Sequence, residues 1–425
     1  MVTRRAFLKG GGLALFGVGL LGGIPAFIAE AAAREKVTRL YKKGKILVCI
    51  FQRGAMDGLM AVTPYNDPYL QAARPNLFMS PAKAAGNTSP LIDLDGHFGL
   101  HPAFQSFEPV FRDKRLAIVH GIGSPNNTRS HFDAQDYMES GTPFDKGTPS
   151  GWLNRAVGLL GHDALTPFSA VSLTSAMPRS LYGDNPAVAI GNLQDFAIQM
   201  RGNPAAANMA AKSFEDLYDQ TAPGLLQSTG QESFEAMKML QKTDTRNYKP
   251  AGNAQYPNSA LGNALKQIAQ LVKMDVGLEI AFTECSGWDT HFGQGTNNGV
   301  FARSATDLSG SIMAFWTDLD TYQDDVTVMT MTEFGRTVHQ NGTGGTDHGR
   351  GSCNFILGND TAGGLVHGNI QPLALENLED GRDLPVTTDF RSVFSEVADR
   401  HLRIAGDKVL FPGWTGATAG VMRIA

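Results

Sequence analysis

The fold class is decided by the stretch Lys45-Ile46-Leu47-Val48-Cys49-Ile50-Phe51, which stops at Gln52-Arg53-Gly54. The run is apolar and rich in β-favouring residues, and it does not alternate with polar residues. Continuous apolarity is typical of a strand that is buried on both faces, as in a parallel sheet. We therefore predict that this strand lies inside a mostly parallel sheet.

Three further segments predict strands of the same sheet, and they lie at 116–123, 277–283 and 326–331. Helical patterns follow the second strand at about 130–139 and precede the last one at about 303–322. Strands that alternate with helices indicate βαβ units. The sequence thus predicts an α/β fold with a mostly parallel central sheet flanked by helices.

The segment from about 203 to 274 has a different character, because it is rich in Ala, Gln, Lys and Glu at helical spacing. Pro223 and the stretch 248–257 interrupt this pattern. We expect a helical insertion here, within a single domain that covers residues 34–425.

The first 33 residues have the layout of an export signal. Arg4 and Arg5 precede an uncharged apolar run at 11–28, and the small residues Ala31-Ala32-Ala33 follow. This layout predicts a twin-arginine signal peptide, which is read by the twin-arginine translocase and then removed. The alternative is a retained transmembrane helix, since the run is near the lower length limit of about 18 residues. We expect a periplasmic or secreted protein without a stable membrane anchor.

Composition excludes some classes of function. The formal net charge is −5, so the chain lacks the basic footprint of a nucleic-acid-binding protein. The three cysteines are too few and too scattered for a disulfide framework or a structural zinc site, and we expect buried thiols.

The candidate site residues follow the predicted strands. Ligands bind at the carboxyl ends of strands in open parallel sheets, which makes these positions informative. Asp57 follows the first strand, either as a metal ligand or as a helix cap or Asx turn. Ser130, after the second strand, is either a helix N-cap or a nucleophile, and Arg129 beside it is suited to hold an anion.

Carboxylates and imidazoles recur after the later strands. Asp289 and His291 lie two residues apart, which places them on one side of an extended segment. Glu333 follows the fourth strand, and a glycine-rich loop carries Asp347 and His348. Such groups suit a divalent metal ion, namely zinc, manganese or calcium, although salt bridges or buried hydrogen-bonded pairs are the alternative.

Several short motifs together resemble a bacterial family with twin-arginine signals, designated domain of unknown function 1501. The motifs are Arg53-Gly54, Asp57-Gly58, 128–135, 287–291, 332–337, 345–349 and 387–391. That family is grouped with the alkaline phosphatase and sulfatase superfamily, so the resemblance implies an α/β sandwich with a metal site at the strand ends.

The resemblance also implies roles for individual residues. Ser130 resembles the superfamily's nucleophile at a helix start, with Thr128 as the alternative. Five further residues resemble its metal-binding Asp and His positions, namely Asp57, Asp289, His291, Asp347 and His348. Glu333 either replaces one of the superfamily's aspartates, or the Asp347-His348 pair in the loop takes that place.

We therefore expect an exported metal-dependent hydrolase of phosphate or sulfate esters, acting on a small-molecule or glycan ester. Ser130 would attack the ester, and Arg129 or Arg336 would steady the anion. The alternatives are an exported binding or assembly protein that retains the fold without turnover, and a structural site in which the Asp and His residues only pair with each other.

Overall fold

The computed structural model describes residues 44–81, 89–160, 168–193, 247–404 and 406–423. The predicted signal peptide and most of the predicted insertion, residues 203–246, lie outside these ranges. Within them, no helix combines the length and apolar character needed to cross a bilayer.

One large sheet dominates the described residues, and its strand order is β13-β5-β12-β9-β1-β8-β6-β7, with β14 beside β5. Only β12 in this sheet runs antiparallel to its neighbours, so the prediction of a mostly parallel sheet is confirmed. The strands are β1 (Ile46–Gln52), β2 (Val62–Pro64), β3 (Ile92–Asp93), β4 (Phe98–Leu100), β5 (Leu116–Gly123), β6 (Ala170–Ser172), β7 (Val188–Ala189), β8 (Ile280–Cys285), β9 (Val326–Met331), β10 (Arg336–Gln340), β11 (Thr346–His348), β12 (Ser352–Leu357), β13 (Val366–His367) and β14 (Thr388–Asp389).

Helices cover both faces of this sheet. The helices are α1 (Gly58–Ala61), α2 (Pro68–Ala73), α3 (Glu108–Arg112), α4 (His131–Ser140), α5 (Trp152–Leu159), α6 (Ala260–Lys273), α7 (Val300–Leu319), α8 (Phe390–Arg400) and α9 (Asp407–Leu410). Apolar residues of α6 and α7 enter the core on one face, and those of α5 and α8 enter the core on the other.

Strand β1 is buried on both faces, as its continuous apolarity predicts. Ile46, Val48 and Ile50 belong to one core, whereas the alternate residues Leu47 and Cys49 belong to the other. The period of two residues in a strand explains this division.

Several strands of the structure were not predicted or have other bounds, and β8 and β12 show the physical reasons. Strand β8 begins at Ile280 and not at 277, because Gly277 has a φ of 80° that a strand does not adopt. Strand β12 was not predicted, since Ser352 and Asn354 interrupt its apolar run, yet all six of its residues are buried.

Helix α6 falls at the end of the segment predicted as an insertion. Leu261, Leu265, Ile268 and Leu271 are buried in the core beside α7. Residues 260–273 therefore belong to the helical layer that covers the sheet.

The sheet brings the predicted site segments to one edge. Strand β1 is parallel to β8 and β9, and β12 is antiparallel to both β5 and β9. The carboxyl ends of β1, β5, β8 and β9 therefore point the same way. The segments that carry Asp57, His131, Asp289 and Glu333 all follow these ends.

Asp318, near the end of α7, connects this helix to α6 and to the segment that precedes α6. Its carboxylate is fully buried and accepts hydrogen bonds from Lys273 Nζ at 2.5 Å, Tyr248 Oη at 2.8 Å, Tyr256 Oη at 2.8 Å and the Ala251 amide at 2.7 Å. Burial raises the pKa of Asp318, but these donors outweigh it, and the net pKa is below its usual value.

Replacing Asp318 with Asn should lower the free energy of unfolding by about 2–3 kcal/mol, because a hydrogen-bonded buried charge is lost. Because the folded-state pKa is depressed, the contribution of Asp318 is complete above the unfolded pKa, near 4, and is lost as pH falls through the folded pKa. Urea unfolding at several pH values measures this. Asp399→Asn, at a half-exposed carboxylate, is the control. A loss equal to that of Asp399→Asn would contradict the anchoring role.

Candidate metal centre

Three imidazole rings meet at the carboxyl edge of the sheet. His131 is the first residue of α4, His291 lies in the loop after β8, and His348 ends β11. The Nε2 atom of His348 lies 3.0 Å from Nε2 of His131 and 2.9 Å from Nε2 of His291. The His131 and His291 rings thus each direct Nε2 towards Nε2 of His348.

Asp289 joins the imidazoles. Its Oδ1 atom lies 3.1 Å from Nε2 of His291 and 3.3 Å from Nε2 of His348, and its Oδ2 atom lies 3.6 Å from Nε2 of His131. Donor atoms of His131, Asp289 and His348 all lie within 4.8 Å of one another. These three residues form the centre, and His291 borders it through its contacts with His348 and Asp289.

The outer nitrogen of each ring faces an acceptor. Nδ1 of His131 lies 2.8 Å from Glu333 Oε1, and Nδ1 of His291 lies 2.9 Å from Asp347 Oδ1. Nδ1 of His348 lies 2.9 Å from the Arg129 carbonyl oxygen. A carbonyl or an ionised carboxylate only accepts, so Nδ1 carries the proton and the Nε2 lone pair points inward.

This arrangement requires positive charge at its middle. Three inward lone pairs and a carboxylate oxygen repel one another unless protons or a metal ion lie between them. A tetrahedral ion about 2.0–2.2 Å from each donor would hold the donors about 3.3–3.6 Å apart. Among His131, Asp289 and His348 the observed separations are 3.0, 3.3 and 3.6 Å, so they need to change by only a few tenths of an ångström. The residues therefore fit a metal ion.

The donor set discriminates between the expected metals. Calcium takes oxygen ligands, whereas imidazole together with carboxylate suits zinc and related transition metals. The carboxylate and carbonyl acceptors of the three Nδ1 atoms are of the kind that commonly orients metal-binding histidines. The donors thus favour zinc or manganese over calcium.

The rings differ in their affinity for protons when no ion is present. The hydrogen bond and charge of Glu333 raise the pKa of His131, against the effect of burial. Burial, followed by the charge of His131, lowers the pKa of His348. Of these two rings, His131 therefore holds a proton more readily than His348.

Glu333 is the partner of a candidate ligand. Its buried Oε1 atom accepts hydrogen bonds from His131, from the Gly54 amide at 2.9 Å and from Gln135 Nε2 at 2.8 Å. Burial raises its pKa, but the hydrogen bonds from His131 and Gln135 outweigh burial, and the net pKa is lowered. An ionised Glu333 thus orients His131, whereas the sequence suggested that Glu333 itself binds the ion.

Asp347 and Arg336 hold other members of the centre. Asp347 is more than half exposed, and its Oδ1 atom accepts from His291 and, at 3.1 Å, from Asn341 Nδ2. Buried Arg336 donates from Nη1 to Asp289 Oδ1 at 2.7 Å, from Nε to the Thr346 hydroxyl and from Nη2 to the Thr346 carbonyl, so all three of its nitrogens are engaged. Burial raises the pKa of Asp289, but Arg336 outweighs burial and lowers it.

Asp57 lies apart from the cluster. Both of its oxygens accept from Arg74, at 2.8 and 3.1 Å, and both residues are buried. Asp57 also caps α1 through the Met60 amide and accepts from Gln294 Nε2 at 2.6 Å. The helix-cap alternative therefore describes Asp57, and its buried ion pair leaves no oxygen directed to the ion.

The predicted nucleophile and anion binder border the centre. Ser130 occupies the N-cap position of α4, but its exposed hydroxyl makes no capping hydrogen bond. The Thr128 hydroxyl accepts from the Ser130 amide at 3.2 Å. The Arg129 guanidinium lies against Asp380 at 2.8 Å and Asp383 at 2.5 Å, while its carbonyl orients His348.

Sequence reasoning did not select His131, although this residue directly follows Ser130 in the motif that was quoted. A histidine in the first turn of a helix, at a strand end, was the available signal. Two further histidines, His120 and His367, face backbone carbonyls and lie outside the centre. His120 Nε2 lies 2.8 Å from the Val62 carbonyl and burial lowers its pKa to about 4, and His367 Nε2 lies 2.8 Å from the Ala362 carbonyl.

Local packing explains why the segments approach so closely. The buried Phe334 ring lies 4.9 Å from the His131 ring and 5.1 Å from the His348 ring, and it forms an apolar wall behind them. A Cβ atom at Gly345 would lie 2.3 Å from the Thr290 carbonyl oxygen. Only glycine allows the β10–β11 loop to pack on the segment that carries Asp289 and His291.

A cavity of about 860 Å³ opens at the same edge, between the ends of β6, β7 and β8 and helix α6. Arg53 lines the cavity and donates to Gln135 Oε1 at 3.2 Å. Gln135 in turn donates to Glu333, so two side chains connect the cavity wall to the centre.

Solved structures with similar folds include a zinc-bound periplasmic domain, a carbohydrate-bound protein and a sulfatase. The C-terminal periplasmic domain of EcEptC from Escherichia coli, in complex with zinc, is 8% identical, with 75% of this chain and 73% of that chain covered and a TM-score of 0.36. Ps i-CgsB in complex with a neocarrahexaose is 9% identical, with 89% and 75% covered and a TM-score of 0.36. PsFucS1 sulfatase from Pseudoalteromonas sp. is 11% identical, with 96% and 81% covered and a TM-score of 0.35. At these scores the similarities do not bear on function.

No curated protein matches the sequence. The model of the family described as "Protein of unknown function (DUF1501)" matches residues 116–410, a range that contains His131, Asp289, His291 and His348. This match spans well over half of the chain, and the protein belongs to the DUF1501 family.

Proposed function

We propose that this protein is a metal-dependent hydrolase of phosphate or sulfate esters. The observation that carries the proposal is the convergence of three imidazole Nε2 atoms on Asp289, with each outer nitrogen held by an acceptor. The position at the carboxyl edge of a mostly parallel sheet, where ligands bind, supports it. The motif resemblance to the alkaline phosphatase and sulfatase superfamily supports the ester class.

His131, His348 and Asp289 would hold the ion, with His291 as a further ligand. When bound, zinc or manganese would polarise the ester and stabilise the charge that develops on its oxygens. Ser130 would form the bond to phosphorus or sulfur, its hydroxyl proton would pass to a base, and the alcohol would leave with a proton. Water would then hydrolyse the serine ester.

Arg129 is the better of the two predicted anion binders. Arg336 has all three guanidinium nitrogens engaged, whereas Nη1 of Arg129 makes no hydrogen bond with any residue that the structure describes. Its partners Asp380 and Asp383 fix the guanidinium next to the start of α4. An oxygen of a bound anion would take the remaining donor.

The substrate would be a small-molecule or glycan ester outside the cytoplasm, which the chain would reach through the twin-arginine translocase. The net charge of −5 argues against a nucleic-acid substrate. Acquiring the ion requires segments from α4, β8 and β11 to be assembled, and this is consistent with export in the folded state.

Metal analysis of the purified protein tests the centre. Wild-type protein should carry about one zinc or manganese ion per chain, whereas Asp289→Ala and His348→Ala should carry far less after dialysis against metal-free buffer. The control is His339→Ala, an exposed histidine on β10. Unchanged metal content in Asp289→Ala and His348→Ala would overturn the assignment.

Turnover of aryl phosphates and aryl sulfates tests the reaction. Ser130→Ala should reduce kcat at least about 100-fold if Ser130 attacks, whereas Thr128→Val should have a small effect. An unchanged kcat in Ser130→Ala would exclude the serine nucleophile. Bound metal without any hydrolysis would favour the rival function, an exported binding or assembly protein that retains the fold.

Glu333→Gln should weaken metal affinity about 10- to 100-fold, because partners that orient metal-binding histidines contribute about that much. Gln would keep an oxygen facing Gly54, Gln135 and His131 but would lose the negative charge, and its NH₂ group would replace the oxygen that accepts from the Thr332 hydroxyl. Competition with a chelator measures the affinity. Glu284→Gln, at a half-exposed carboxylate paired with Arg53, is the matched control. Equal effects of the two substitutions would contradict the orienting role of Glu333.

A further inference from the structure

The Gln294 side chain is completely buried, close to the candidate centre. It lies in the loop between His291 and α7. Its Oε1 atom accepts from the Thr290 hydroxyl at 2.8 Å and from the Thr346 hydroxyl at 2.7 Å, and its Nε2 atom donates to Asp57 Oδ2 at 2.6 Å. One amide therefore joins three separate segments.

The two threonines have special positions in the chain. Thr290 lies between Asp289 and His291, and Thr346 directly precedes Asp347 and His348. Their backbones also meet, since the Thr346 amide donates to the Thr290 carbonyl at 3.1 Å. A shift of either threonine would therefore move candidate metal ligands.

The third partner determines which way the amide faces. Asp57 is paired with Arg74, so its carboxylate is ionised and only accepts hydrogen bonds. The NH₂ group of Gln294 must face Asp57, which leaves the carbonyl oxygen for the two hydroxyls. Arg74 also donates to the Val338 carbonyl at 2.8 Å and the Thr337 carbonyl at 2.7 Å, which fixes the ion pair to β10.

We propose that Gln294 is a positioning residue that clamps the two ligand-bearing segments, 289–291 and 346–348, to the Asp57–Arg74 ion pair. The clamp fixes the spacing between Asp289, His291 and His348 before an ion binds. It also assigns a role to Asp57 as the anchor of the clamp. The predicted effect on metal affinity rests on the proposed function.

The test uses a variant that removes the clamp, keeps Asp57 paired with Arg74 and costs Arg336 only its 3.3 Å contact with the Thr346 hydroxyl. Gln294→Leu, Thr290→Val and Thr346→Val together replace the three polar groups with apolar groups of similar volume. Thr290→Ser with Thr346→Ser keeps both hydroxyls and serves as the conservative variant. Thr361→Val is the matched control, since the buried Thr361 hydroxyl donates to the Arg115 and Gly358 carbonyls at 2.9 Å, far from the centre.

Two measurements are made on the mature protein. Zinc affinity, from competition with a chelator, should fall about 10- to 100-fold in the triple variant. It should stay near the wild-type value in the serine variant and in Thr361→Val. In the metal-free protein, hydrogen exchange at the amides of Gly293, Gln294 and Thr346 should accelerate at least about tenfold in the triple variant only.

The outcomes separate the clamp from the proposed function. Failure of wild-type protein to bind zinc or manganese would overturn the proposed function, and hydrogen exchange in the metal-free protein would still decide the clamp. Unchanged exchange in the triple variant would overturn the clamp whatever the metal result. Equal losses of affinity in the triple variant and Thr361→Val would also overturn it, because general destabilisation would explain both.

Discussion

The site depends on a single electrostatic constraint, which is that imidazole lone pairs cannot face one another without a positive charge between them. Each outer nitrogen of His131, His291 and His348 donates to an acceptor that has no proton to offer. The inner nitrogens must therefore share added protons or a metal ion. The carboxylate of Asp289 increases the negative potential at the same place, and Arg336 beside it keeps that carboxylate ionised.

The fold supplies these groups from distant parts of the chain. His131 begins a helix after β5, Asp289 and His291 follow β8, and His348 ends a hairpin strand that pairs with Arg336. Because the sheet is mostly parallel, the strand ends lie at one edge. Buried polar contacts then fix the loops, with Glu333 behind His131 and Gln294 between the two ligand-bearing segments.

Much of the architecture could be predicted from the sequence, because the signal was local. The continuous apolar run of β1 predicts that the strand is buried on both faces. The strands at 116–123 and 326–331 have the bounds that their sequence patterns predict. Strand β12 was not predicted because Ser352 and Asn354 are polar, and their burial results from the neighbouring strands β5 and β9.

The site was harder to predict, since a carboxylate at a strand end has the same sequence signature whether it binds an ion or a side chain. Asp57 is paired with Arg74, and Glu333 holds His131, and neither partnership is visible in the order of residues.

The central claim is that an ion lies among the inner nitrogens, and anomalous diffraction from crystals of the protein tests it most directly. Data recorded above the absorption edge of the metal found in the protein should show a peak about 2.0–2.2 Å from Nε2 of His131, Nε2 of His348 and an oxygen of Asp289. The imidazole nitrogens should then lie farther apart than 3.0 Å. A map without a peak there, in which these nitrogens remain within hydrogen-bond distance of one another, would contradict the claim.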